Sequence, residues 1–123
     1  FNKHYAFTSF IEQAKNHNQI TIESSKLVYR SYILFENLFS YYNYRTFKFT
    51  GSEINIFDAC LDTFEINDLA NLVAKKFSST VVRKENPEGI DEYIGDKEYL
   101  LNFLKSKDLD WQITDKKILK LIQ

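Results

Sequence analysis

The 123-residue chain contains no methionine, one cysteine, one proline, three glycines and two histidines. Each scarcity excludes something. A lone cysteine, Cys60, rules out an internal disulfide and a multi-cysteine metal site. Gly51, Gly89 and Gly95 are too far apart for G-x-G-x-x-G or a Walker-type phosphate loop. Neither sign of charge dominates: 16 Lys+Arg face 17 Asp+Glu, for a formal net charge of −1. Sequence-independent nucleic-acid binding therefore loses its main driving term. No apolar run approaches the ~18–20 residues of a membrane span, and there is no signal-peptide pattern. Opening on Phe1 with no methionine anywhere, the chain is expected to be part of a longer, cytoplasmic protein.

What remains is 44% apolar and 27% charged, the balance of an ordinary globular segment. Phe7, Phe10, Ile11 and Ala14 form the stripe of an amphipathic helix, ended by Asn16-His17-Asn18. Ile20-Thr21-Ile22-Glu23 alternates as a short strand, Ser24-Ser25-Lys26 reads as a turn, and Leu27 to Ile33 as a second strand carrying Arg30. Glu36 through Tyr44 reads as a helix packed through Leu38, Phe39 and Tyr42, and Ile54-Asn55-Ile56-Phe57 as another strand. Ile66, Leu69, Ala70, Val73, Ala74 and Phe77 make the strongest helical stripe, with Asp68 near its start and Lys75-Lys76 near its end, as the helix dipole favours. Thr80 to Arg83 is a strand, and Asn86-Pro87-Glu88-Gly89 a turn. Asp96 caps a helix through Leu104, and Thr114 caps the last one, with Ile113 and Ile118 as its hydrophobic staple. No repeat or linker interrupts this single α/β unit.

Few residues suggest chemistry. His4 and His17 are the near-neutral bases, and His17 beside two asparagines reads as a surface cap. A lone cysteine after an apolar strand reads as a small buried hydrophobe rather than half of a Cys–His nucleophile. Nothing specifies Asp58 and Asp62 as a carboxylate pair. Tyr93 and Lys97 have the Y-x-x-x-K spacing of a proton-transfer pair, but that spacing needs a helix and Gly95 interrupts it. The run Tyr41-Tyr42-Asn43-Tyr44-Arg45 suggests base stacking, yet a helix with core-filling rings and wet hydroxyls explains it as well. Arg30, in an otherwise apolar strand, must either pair with a buried acid or present its fork to an anion.

The order of segments resembles the C-terminal, substrate-binding part of extended short-chain dehydrogenase/reductases, the NAD-dependent nucleotide-sugar epimerases and dehydratases. Phe7-Thr8-Ser9-Phe10-Ile11, Ile20-Thr21-Ile22 and Arg30-Ser31-Tyr32-Ile33 follow the family's helix, I-x-I strand and arginine strand. Ile54-Asn55-Ile56 looks like its Y-N-I/V strand and Glu65 to Ala70 like its S-I-x-D/E-L-A helix start. Asp91 to Asp96 looks like its D/R-Y-x-x-D segment, Leu109-Asp110-Trp111 like its L-G-W, and Ile113 to Ile122 like its final helix.

The resemblance implies a small α/β substrate lobe, residues 1–123, whose upstream Rossmann half would hold NAD(P) and the catalytic Ser/Thr, Tyr and Lys. It assigns no catalytic, cofactor or metal role within this chain. Arg30 would bind the pyrophosphate of a nucleotide diphosphate sugar, supported by Tyr32, with Ile20, Thr21 and Ile22 along the base. The Asp91–Tyr93 segment would close over ribose or phosphate through Tyr93. Partners would be the Rossmann half and, in the intact enzyme, a second subunit; neither nucleic acid nor membrane is expected. Three positions depart from the pattern. Asn37 stands where many members have Asp, Ser24-Ser25-Lys26 replaces a glycine turn, and Asp91-Glu92 occupies the place of a second arginine. Acids there repel a pyrophosphate, leaving Arg83 as the substitute. A complete, non-enzymatic α/β interaction module is the alternative.

Overall fold

The computed structural model describes residues 5–48 and 56–122. In chain order these form α1 (Ala6–His17), β1 (Gln19–Ile22), β2 (Leu27–Tyr32), α2 (Phe35–Lys48), β3 (Asp62–Glu65), α3 (Ile66–Phe77), β4 (Thr80–Arg83), β5 (Ile90–Tyr93), α4 (Glu98–Ser106) and α5 (Asp115–Lys120). The fold is mixed α/β, with a two-stranded sheet β1-β4 and a three-stranded sheet β3-β2-β5. The contacts fall into two compact units. One is drawn from Phe1–Arg30, Phe64–Tyr93 and Thr114–Gln123, the other from Ser31–Thr63 and Ile94–Ile113. The sequence carries no linker to announce this division because the segments of the two units alternate along it.

The first unit is built on periodicity. α1 buries Phe10 and Ala14, one turn apart, and ends at Asn18 in the left-handed region with φ 53°. In β1 the inward positions are Ile20 and Ile22. Each fully buried isoleucine contributes about 1.5–3 kcal/mol, and a one-residue slip would turn both outward, so their alternation fixes the register. β1 pairs with β4 in parallel, Ile20 opposite Val81 and Ile22 opposite Arg83. α3 closes this core with Ala70, Val73 and Ala74, and Ile122 joins from the chain's end. The ends of α3 are chemically specified. The Glu65 carboxylate accepts the Asn67 N–H at its start, Asp68 sits in the first turn, and Lys75 and Lys76 sit in the last. Ser78 stops the helix at φ 53°, its N–H returning to the Ala74 carbonyl. Thr114 caps α5 by accepting the Lys117 N–H.

The second unit has an aromatic core. Tyr41, Leu61, Leu100 and Leu104 are buried, with Phe57, Tyr99, Phe103 and Trp111 packed around them. Tyr41 meets Phe57 and Phe103 edge-on, each with ring centroids 4.8 Å apart, the arrangement that aromatic quadrupoles favour. Arg45, one helical turn from Tyr41, lies 5.1 Å from the Phe103 centroid and donates to the Tyr99 hydroxyl at 2.8 Å. Asp96 serves the start of α4 by accepting the Glu98 N–H at 2.9 Å, although the cap position itself is Lys97.

Three expectations differ from the structure. α2 packs through Asn37 and Tyr41, four residues apart, whereas Phe39 and Tyr42 are exposed. Consecutive aromatics give no periodic signal from which to choose a face. Of the strand expected at 54–57, Ile54 and Asn55 lie outside the described residues, and Ile56 and Phe57 are irregular; the strand is instead β3. Ile113, expected to staple α5, packs with the aromatic core of the second unit.

Candidate functional site

Arg30 and Tyr93 are brought together. β2 pairs with β5 in parallel from Leu27↔Ile90 to Arg30↔Tyr93. The Arg30 guanidinium spans β5: its Nη2 lies 3.0 Å from Asp91 Oδ2, and its Nη1 donates to the Asp91 carbonyl at 3.1 Å and to the Tyr29 carbonyl at 2.8 Å. Both partners are partly in solvent, with side chains 37% and 47% exposed, and Tyr93 is 81% exposed. Of the two readings open to an arginine in this strand, the ion pair is the one formed, with a surface acid rather than a buried one. Hydrogen bonding to Arg30 holds the Asp91 carboxyl below its usual range. That attraction is therefore present above the ordinary carboxylate range and is lost as pH falls through the depressed value.

Arg83 occupies a different setting. Its Nη2 lies 3.2 Å from Glu65 Oε1, and its Nη1 donates to the Ser24 and Lys26 carbonyls at 3.2 Å each. The side chain is 16% exposed. Arg83 thereby ties down the Ser24-Ser25-Lys26 turn. A pyrophosphate would have to displace a buried carboxylate and two carbonyls to reach it.

The Ile20 and Ile22 side chains belong to the core. Thr21 is half-buried, and its N–H, on the edge of β1 away from β4, donates to Gln13 Oε1 at 2.8 Å. Tyr32 is half-buried, and its carbonyl accepts the Leu61 N–H at 2.9 Å. Two concavities of the first unit lie elsewhere. One of about 290 Å³ runs along α3 between Phe64, Asp68 and Lys75, and one of about 510 Å³ is bounded by Ser25, Glu85, Asn86 and Glu88.

The remaining chemical candidates have structural employment. Asp58 Oδ2 accepts the Asp96 N–H at 2.8 Å and Asp62 Oδ1 accepts the Thr63 N–H, so the two carboxylates serve separate turns. His17 is exposed in the last turn of α1, and His4 lies outside the described residues. Cys60 is buried, and desolvation pushes its thiol up and away from the thiolate. A Cβ on Gly95 would come within 2.8 Å of the Cys60 Sγ, which explains the glycine. The folded chain at neutral pH is expected to resist a thiol reagent such as DTNB and to react with one equivalent once unfolded in urea. Prompt labelling of the native chain would overturn the buried-hydrophobe assignment. Tyr93 and Lys97 do not share a helix, since β5 ends at Tyr93 and α4 begins at Glu98.

Sequence reading missed Glu65. It was visible only as the residue before a helix, yet it also accepts the Val28 N–H at 3.2 Å and pairs with Arg83. Among the described residues no cluster of three or more His, Cys, Asp or Glu side chains is disposed to hold a metal, and no helix is long and apolar enough to cross a membrane. No protein-family model matches the chain, and no curated protein matches it.

Proposed function

We propose that the chain is the nucleotide-sugar-binding lobe of a cytoplasmic NAD(P)-dependent epimerase or dehydratase, and that it grips the ligand's pyrophosphate through Arg30. The observation that carries this reading is the half-exposed guanidinium of Arg30 on β2, in register with the exposed ring of Tyr93. A planar fork at a strand surface suits bidentate contact with phosphate oxygens. The element order, from α1 through β1 and the arginine strand to α3, agrees with the resemblance on which the reading rests. The hydride chemistry belongs to the cofactor in the upstream half. This lobe supplies binding energy remote from the reacting carbon.

Asp91 competes with the ligand for Arg30, and this makes the reading testable by calorimetric titration with UDP-, dTDP-, GDP- and CDP-sugars. Arg30→Ala is expected to weaken binding by about 10- to 100-fold, the worth of one charge-assisted contact. Asp91→Asn, which removes the competing negative charge at Nη2, is expected to tighten it. Binding indifferent to both substitutions, or tightened by neither while the chain stays folded, would dismiss Arg30 as the anion site. The second reading, a protein-interaction module, is favoured by one specific observation: all four residues of the edge strand β5 are exposed.

A further inference from the structure

β5 ends the strand order β3-β2-β5. The Leu27 N–H donates to the Gly89 carbonyl at 3.0 Å, which sets the phase of the parallel ladder. Residues 89, 91 and 93 then turn their backbone groups toward β2, and Ile90 and Glu92 turn theirs away. The same phase directs Val28 to the other side of β2, where its N–H meets Glu65. Among the described residues nothing meets the outward N–H and C=O groups of Ile90 and Glu92. The outer edge of β1, in contrast, is closed at Thr21 by Gln13. The outer edge of β1 is sealed by a side chain and that of β5 is left open.

The open edge has a charge. Residues 84–93 hold Glu85, Glu88, Asp91 and Glu92 against Lys84; Asp91 is paired with Arg30 and Lys84 with Glu23, which leaves Glu85, Glu88 and Glu92 as the charge of this edge. Glu85 and Glu88, which precede the strand in the chain, bound the 510 Å³ concavity. Two copies of β5 laid edge to edge would oppose these acids to each other, so the charge discourages self-pairing. The same charge complements a basic strand. Ile90 and Tyr93, both exposed, offer one apolar contact on each face of the strand.

We propose that β5 is the acceptor edge for an extended lysine- or arginine-rich segment of another protein, added to the sheet as a fourth strand. Backbone hydrogen bonds to Ile90 and Glu92 supply the register, and Glu85, Glu88 and Glu92 select the charge. This does not depend on the nucleotide-sugar reading.

The test uses two labelled octapeptides, one alternating lysine with valine and one alternating glutamate with valine, titrated by fluorescence anisotropy. The lysine peptide is expected to bind and to weaken as salt rises, and the glutamate peptide to stay free. Amide exchange at Ile90 and Glu92 is expected to slow by about tenfold or more in the complex. Glu92→Pro removes the outward N–H and leaves the ladder to β2 untouched; it is expected to weaken binding by about tenfold or more. The double variant Glu85→Lys/Glu88→Lys keeps the backbone and is expected to weaken it similarly. Equal binding of both peptides, lysine-peptide binding without exchange protection, or no binding at all would each overturn the proposal. Should Glu92→Pro fail to fold, the exchange measurement on the unaltered chain decides.

Discussion

Glu65→Ala is expected to lower the unfolding free energy by about 3–5 kcal/mol, the cost of leaving one member of a buried ion pair without its partner. Three groups lose their acceptor at once. Arg83 Nη2 and the Val28 N–H both meet Oε1 at 3.2 Å, and the Asn67 N–H meets Oε2 at 2.7 Å. The last of these is the N-cap of α3, worth about 1 kcal/mol by itself. Glu65→Gln keeps an acceptor for the cap and removes the charge, so it should fall between wild type and alanine. Urea denaturation with an unchanged m-value would measure both. A loss below about 1 kcal/mol for alanine would mean that Arg83 and Val28 find other partners. A double-mutant cycle with Arg83→Met would then locate the coupling.

Asn37→Asp is expected to be the second-largest effect and to depend on pH. Asn37 is completely buried, its Nδ2 donates to the Asp110 carbonyl at 3.1 Å, and its Oδ1 has no partner. A carboxylate there would face a carbonyl oxygen with no donor between them, and desolvation would raise its folded-state pKa above the unfolded ~3.9. The protonated acid can donate to Asp110 in the amide's place. The variant's stability relative to wild type should therefore be nearly intact below about pH 4. It should fall by about 1.4 kcal/mol per pH unit until the raised folded pKa is passed. A loss of about 3 kcal/mol at pH 7 is expected. A difference from wild type that stays flat between pH 4 and pH 7 would show that water reaches the site. The family resemblance makes this substitution pointed, because Asp is the residue that many members carry at this position.

How much of this was legible in the sequence depended on whether a residue's partner was near it in the chain. α3 was readable because its stripe, its first-turn acid and its last-turn lysines all lie within twelve residues. α1 and β4 were readable for the same reason. β5 was not: Ile90-Asp91-Glu92-Tyr93 is exposed throughout, so no burial imposes an alternating pattern on it. β3 was missed because only its Glu65 is buried, and a buried glutamate looks like an exposed one until its arginine is found 18 residues later. For Arg30 the choice between an acid and an anion could be framed from the strand around it. The answer lay in Asp91, 61 residues away, and no local rule reaches that far.

The alternation of segments between the two units has a consequence for synthesis. The core of the first unit contains Phe10 and Ile20, which precede the whole of the second unit in the chain, but it also contains Ile122. The core of the second unit begins later and is complete once Ile113 has emerged. A chain growing from its N-terminus therefore finishes its second core before its first. α3 and β4 can cover α1 and β1 earlier, but the first core lacks Ile122 until the end of this segment has emerged. Chains lost to stalling or clipping just after Ile113 would carry one finished core and one lacking Leu119 and Ile122.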